Sequence, residues 1–311
     1  MNKLSFSGHE TFTCKEYWLF KGYNFLKDGN NFNSEDSVVK LGVGKNMVAS
    51  IRYWMKAFNL LDENDKLTEI ANFIFGDAGK DQYLEDIGTN WLLHYQLIST
   101  NKASIYNLIF TEFRTERIEF TRTNLQNFLK RKCDQVSPNL YRESTINKDI
   151  NIFLRSYISF KEKKNLIDED LSFLFYELNL VTHSISSSSL DGSLVDYFKI
   201  ENLFRKDIHP YIFLFAILNN SNYTNSINFN DIYDNESKIF SINKENTLFI
   251  LNYLANDKYL SSKLVYTDTA GLKLLQFKNK PDKWKVLAKY YSTSHINLEA
   301  LKIDELSYLS N

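Results

Sequence analysis

The strongest constraint on the fold is the spacing of apolar residues between Leu41 and Leu60. After Gly44, Met47, Ile51, Met55 and Phe58 fall at i, i+4, i+8 and i+11, one stripe of an α-helix. Lys45, Ala49, Arg52, Tyr53 and Lys56 fall on the opposite side. From Ser37 to Leu61 there are four Lys or Arg and no Asp or Glu, so this helix is basic on its outer face. Asp62-Glu63-Asn64-Asp65 then makes a polar turn, and Leu67-Thr68-Glu69 opens a second apolar-periodic segment that Thr68 is placed to cap. Helix, short hairpin-like turn and a new helix is the order of a compact winged helix-turn-helix, whose helix before the wing enters the DNA major groove. The same residues also fit a plain amphipathic helix with a solvated basic face.

Composition extends the helical reading to the whole chain. With 3 Pro and 10 Gly in 311 residues there are few breakers. Hydrophobic residues make up 43% and include 24 Phe and 19 Tyr, enough for more than one core. The expected class is mainly α with small β-hairpins, built from tandem winged-helix-like (helix-turn-helix) modules. The formal net charge is −1, so a nucleic-acid partner must be met by local basic surface. Cys14 and Cys133 are far apart in sequence and lack CxxC spacing, against a structural zinc site or a disulfide scaffold. No uninterrupted apolar run approaches a membrane span and the N-terminus is not a signal segment, so a cytoplasmic protein with no membrane partner is expected.

Two short motifs invite chemical readings. Phe6-Ser7-Gly8-His9-Glu10-Thr11-Phe12 places His9 beside Glu10, but HExxH would need a second His at position 13, where Thr13 stands. Ser7 or Thr11 capping the helix that follows is the plainer reading. Gly42-Val43-Gly44-Lys45 is not a P-loop, because Val39 and Asn46 stand where Gly and Ser or Thr are required. What remains is a glycine-flanked helix start whose N–H groups suit a phosphate. Further on, Asp86, Asn90 and His94 are spaced by four on one helix, fit either to hold a divalent ion or to make a polar helix contact.

A second basic region spans residues 113–132, with Arg114, Arg117, Arg122, Lys130, Arg131 and Lys132. It leads through a turn at Ser137-Pro138 into a helix opened by Ser144-Thr145, the pattern of a second helix-turn-helix pair. An element is expected to begin at Glu169-Asp170, and Val181–Ile185 with Leu194–Ile200 read as a hairpin. A boundary near residues 201–209 divides the chain into domains 1–200 and 201–311. The second has helix, helix and a hairpin around Thr267–Ala270, with a helix at Lys244 and Glu245 that is not basic.

The blocks Phe6–Phe12, Trp18-Leu19-x-Lys21-Gly22, Leu41–Trp54, Leu67-Thr68, Leu84-Glu85-Asp86 and Trp91-Leu92-Leu93-His94 stand in one order over roughly residues 5 to 180. In this they resemble a bacterial domain-of-unknown-function family, the SspB-like proteins of single-strand DNA phosphorothioation (Ssp) systems. The resemblance implies partners: a cysteine desulfurase, an ATPase and a PAPS-reductase-like protein that together place sulfur in the DNA backbone for anti-phage defence. It also implies nicking of the DNA itself, although the sequence holds no recognised nuclease motif.

These readings leave two site assignments and a third alternative. As a DNA-binding component, the chain would meet double-stranded DNA through Gly44, Lys45, Asn46, Arg52, Tyr53 and Lys56. As a nickase, it would draw ligands or an acid/base from His9, Glu10, Glu85, Asp86 and His94, with Mg²⁺ or Mn²⁺ as the suitable cofactor and the metal-binding set unassigned. As an adaptor, it would use its winged-helix domains to bind partner proteins of the modification complex.

Overall fold

The apolar stripe around Ile51 folds as the third of four N-terminal helices, α1 (Glu16–Lys27), α2 (Ser37–Leu41), α3 (Lys45–Ala57) and α4 (Glu69–Phe75). The structure is a computed structural model and describes residues 4–137, 139–159, 174–187 and 192–293. The element expected to begin at Glu169-Asp170 lies outside these residues, as does Pro138. α2 stops at Gly42, whose positive φ of 60° lets its N–H reach the Val39 carbonyl while the Val43 N–H reaches Val38. A three-residue turn then starts α3. Val48, Ile51, Trp54 and Met55 of α3 are buried with Phe58 just beyond it, and Met47 is only partly covered. α1 lies so close to α3 that a Cβ on Gly22 would collide with Met55 Sδ and Ile51 Cγ2. After α3, Leu61 and Leu67 pair across the acidic turn, and the Thr68 hydroxyl caps α4 by accepting from the Ala71 N–H.

The chain divides into two compact units. The first comprises Met1–Phe204 and Ser237–Asn243, and the second Arg205–Glu236 and Lys244–Asn311. In the first unit, α5 (Ile87–Thr100) is buried along nearly its whole length. It is followed by α6 (Ser104–Leu108), a π-helical turn at Ile109–Phe113, and α7 (Arg114–Glu116). Then come β1 (Glu119–Phe120), α8 (Arg122–Val136), α9 (Glu143–Tyr157), β2 (Thr182–Ser187) and β3 (Leu194–Lys199). α8 begins with a capping box, in which Thr121 and Asn124 each bond the other's backbone N–H. The strands form an antiparallel sheet of order β1-β3-β2, with Phe120 opposite Phe198 and His183 opposite Phe198 on the other side.

The second unit repeats the strand, helix, helix, hairpin part of that order. α10 (Pro210–Asn219), with Pro at its start, is followed by β4 (Ser226–Asn228), α11 (Phe229–Ile232) and a π-helical turn at Tyr233–Ser237. α12 (Lys244–Asn256), β5 (Leu264–Thr269), β6 (Leu272–Phe277) and α13 (Lys283–Thr293) complete it. Its antiparallel sheet has the order β4-β6-β5. The fold is thus mostly helical with small antiparallel sheets. Among the described residues no helix is long and apolar enough to cross a membrane.

Candidate functional site

The N-terminal motif and the central helix form one structure. Ser7, Gly8, Glu10 and Thr11 all have positive φ, which curls Ser7–Phe12 into a tight loop over α3. The loop is held from inside by Asp149, a buried carboxylate of α9. Both Asp149 oxygens accept the Ser7 N–H, each at 3.1 Å, and Oδ1 lies 3.0 Å from His9 Nε2. His9 Nδ1 accepts the Thr11 N–H at 3.2 Å, so the ring proton sits on Nε2 and points at the carboxylate. The His9 ring stacks on Trp54 and meets Tyr53 edge-on, and its backbone carbonyl takes a hydrogen bond from Ser50. Trp54 Nε1 donates to the Phe12 carbonyl at 3.1 Å. Gly8 is placed where a Cβ would fall 2.6 Å from the Tyr53 ring. Neither Ser7 nor Thr11 caps α1, whose N-cap residue is Lys15 and which has no side-chain cap.

Buried His9 therefore serves the loop's architecture, while Glu10 beside it points to solvent. Tyr53 lies beneath the loop, and burial first, then the Asp149 charge, pushes its hydroxyl well above the usual tyrosine range. The rest of the basic face of α3 is open at its start and tied down at its end. Lys45, Asn46 and Ala49 are exposed, and Gly44 precedes them with no side-chain cap over the first amides. Arg52 makes a paired contact with Asp65, Nε to Oδ1 at 3.1 Å and Nη2 to Oδ2 at 2.5 Å, and reaches Asn33 at 2.8 Å. Lys56 joins Asp65 at 2.8 Å. Partial burial works to raise the Asp65 carboxyl, but the hydrogen bonds from Arg52 and Lys56 outweigh it and hold it below the usual range.

The carboxylates and histidine of the third motif are separated by depth. Asp86 is the N-cap of α5, accepting the Gly88 N–H at 2.8 Å, and Asp81 in turn accepts the backbone N–H groups of Glu85 and Asp86. Glu85 is exposed beside Glu16, whose carboxyl is raised first by partial burial and then by the negative charges of Glu177, Glu85 and Asp81. His94, two turns inward, is fully buried among Trp91, Phe110, Tyr157 and Phe175. Its Nε2 is 2.9 Å from the Ile239 carbonyl, which can only accept, so Nε2 donates, and Nδ1 lies 3.0 Å from the Tyr157 hydroxyl. Asn90, between them, is buried with its Oδ1 unpartnered among the described residues. No group of three or more His, Cys, Asp or Glu side chains among the described residues is arranged to hold a metal ion.

Several groups on which this geometry depends have no motif. Asp149 is 140 positions from His9, and its only sequence signal is a carboxylate on the apolar side of a helix, between Ile146, Ile150 and Phe153. Asp65 sits in the acidic turn that follows α3 and neutralises two of its cations. On the sheet of the first unit, His183 Nε2 lies 2.6 Å from Asp196, and Arg122 stands over the Phe198 ring while bonding Asn151 of α9.

Against known proteins, a family model described as "Protein of unknown function (DUF4007)" matches residues 6–291. No curated protein matches the chain. Two solved structures share the fold. A crystal structure of magnesium ion-bound SspB superposes with a TM-score of 0.76 at 25% identity, covering 94% of this chain and 90% of that one. A crystal structure of SspB superposes with a TM-score of 0.77 at 24% identity, covering 98% of this chain and 95% of that one.

Proposed function

The chain belongs to the DUF4007 family, and from that premise we propose that it is a DNA-binding component of a bacterial DNA phosphorothioate-modification and anti-phage defence system. The likeness to SspB along almost the whole chain supports this system. The observation that carries DNA binding is a repeated topology. Both units run strand, helix, helix, hairpin, with the first strand paired to the last, in the orders β1-β3-β2 and β4-β6-β5. We read both as winged-helix modules, and α2, the Gly42–Gly44 turn and α3 as a further helix-turn-helix. In this reading the amides after Gly44, with Lys45 and Asn46, take backbone phosphates, and Arg52 and Lys56 lie beside them on the same face. Tyr53 acts by supporting the helix from beneath the Ser7–Thr11 loop. A cysteine desulfurase, an ATPase and a PAPS-reductase-like protein are the proposed partners.

Fluorescence anisotropy of the full chain on a labelled duplex, titrated at salt from about 50 mM to about 200 mM, tests the proposal. Binding should weaken steeply with salt because neutralised phosphates release their counterions. No binding at the low-salt end would overturn it.

The magnesium-bound state of a similar SspB favours one second reading, a metal-dependent DNA nickase. Among the described residues no three His, Cys, Asp or Glu side chains are grouped to hold that metal. Conversion of supercoiled plasmid to open circle, with Mg²⁺ or Mn²⁺ against EDTA and with Glu10→Ala and Glu85→Ala, decides it. The adaptor reading has its own support in α12, where Phe249 is 39% exposed on the helix that would otherwise face DNA.

A further inference from the structure

We infer that α9 is a second DNA-reading helix, which lies in the major groove through Asn147, Lys148, Asn151 and Arg155. The inference rests on the DNA-binding reading above and adds a contact surface distinct from α3. Its first support is position. α9 is the second helix of the β1-α8-α9-β2-β3 module, the element that a winged helix presents to the groove.

Its second support is chemistry. Ser144, Asn147, Lys148, Asn151 and Arg155 fall at i, i+3, i+4, i+7 and i+11, and all five are exposed. The opposite side, with Ile146, Ile150, Phe153, Leu154 and Tyr157, is buried. The outward stripe therefore holds amides, a hydroxyl and two cations, and no carboxylate. Glu143 stands beside it and bonds Gln126, and Asp149 is turned inward to His9. Among the described residues nothing bonds the side chains of Ser144, Asn147, Lys148 or Arg155. This is the reverse of α3, where Asp65 holds both Arg52 and Lys56. Asn is the side chain that pairs with the N6 and N7 edge of adenine, and Arg pairs with guanine or phosphate.

Two further features favour a duplex as the occupant. Arg122 links this helix to the hairpin, bonding Asn151 while its guanidinium lies 5.7 Å from the centre of the Phe198 ring on β3. It thus fixes helix and wing as one surface with a cation at their junction. The topologically equivalent helix of the second unit, α12, instead exposes Lys244, Glu245, Phe249, Asn252 and Asn256. One acid cancels its one base there, and an exposed phenylalanine replaces the cation-bearing turn. The same topology thus carries two chemistries, and only α9 complements a polyanion with readable base edges.

The test uses the full chain to select sequences from a random duplex pool. The selected duplex is then titrated with wild type, Asn147→Ala, Asn147→Ala/Asn151→Ala and Lys148→Ala/Arg155→Ala, each checked for an unchanged melting temperature. The asparagine variants should lose about tenfold or more in preference for the selected duplex over the unselected pool. The Lys148/Arg155 variant should weaken binding to every duplex and flatten the salt slope by about 2. Affinity and preference within about twofold of wild type in all variants, with Arg52→Ala alone weakened, would overturn the α9 assignment and leave DNA binding through α3 standing. Failure of wild type to bind any duplex at low salt would remove the DNA-binding reading itself, and this inference with it. Loss of a protein partner in the α9 variants with DNA affinity intact would place a protein on this face and also overturn it.

Discussion

Asp149→Ala is expected to undo the N-terminal loop, and the cost follows from what the carboxylate holds. Asp149 accepts the Ser7 N–H and the Nε2–H of a buried, neutral His9. Hydrogen bonds to a charged group contribute about 1.5–3 kcal/mol each, and removing one side also leaves buried donors without acceptors. The expected loss is about 3–5 kcal/mol for the two hydrogen bonds together. For a unit of this size each kcal/mol lowers the melting temperature by about 2–4 °C, so the drop is on the order of 6–20 °C. Asp149→Asn keeps an oxygen at the Oδ1 position, within reach of both donors, but loses the charge and the second oxygen at Ser7, and should cost about half as much. The assay is thermal unfolding of the full chain followed by circular dichroism, with near-ultraviolet signal reporting the His9–Tyr53–Trp54 cluster. An Asp149→Ala protein that melts within about 2 °C of wild type would show that the loop is held by its packing on α3 and not by the carboxylate.

Three other perturbations probe separate parts of the reasoning. In the second unit, burial pushes Glu236 up to about 7, against which the hydrogen bonds from Asn220 and Tyr223 act, while Asp231 adds to the rise. A folded-state value above the unfolded one means the contribution is fully present at pH below about 4.5 and is lost as pH rises to about 7, on the order of 3 kcal/mol; Glu236→Gln should flatten that decline in melts taken across this window. Gly22→Ala should destabilise by about 1–3 kcal/mol in denaturant unfolding, since the new methyl meets Met55 and Ile51 where α1 crosses α3, and a neutral result would mean these helices separate freely. Asp65→Asn removes the charge that neutralises Arg52 and Lys56, so duplex affinity should rise and the salt slope steepen; unchanged binding would argue that this end of α3 is not at the DNA.

How much of this was legible in sequence depended on the range of the interaction. α3 was readable because Ile51, Met55 and Phe58 repeat at the helical period and are all buried. The hairpin of β5 and β6 was readable from alternation, and the turn came within a residue or two of Ala270-Gly271, where positive φ is needed. α8 proved longer than its apolar signal, extending to Val136 because its outer side is solvated and gives no periodic cue. The π-helical turns after α6 and α11 left no pattern, since a single wide turn changes the phase of a helix without changing its composition. Ser237–Asn243 belongs to the first unit although it lies within the second unit's span, which a boundary drawn along the chain cannot express.

The site was less legible than the fold because the residues that decide it are partners, and partners are set by tertiary contact. His9 and Glu10 are adjacent in sequence and look like a functional pair, yet the fold gives His9 to Asp149 and Glu10 to solvent. Asp86 and His94 share a helix face, yet Asp86 caps the helix start while His94 reaches the Ile239 carbonyl in the core. Charge misleads in the same way. The acid-free run from Ser37 to Leu61 makes α3 read as a basic helix, but Asp65, four residues past Leu61, returns to bind two of the run's four cations. α9 reads as less basic because Glu143 and Asp149 lie within it, and the structure turns one aside and buries the other. On a chain of net charge −1, the surface able to meet a polyanion is therefore fixed by where the carboxylates are directed, more than by where the cations are written.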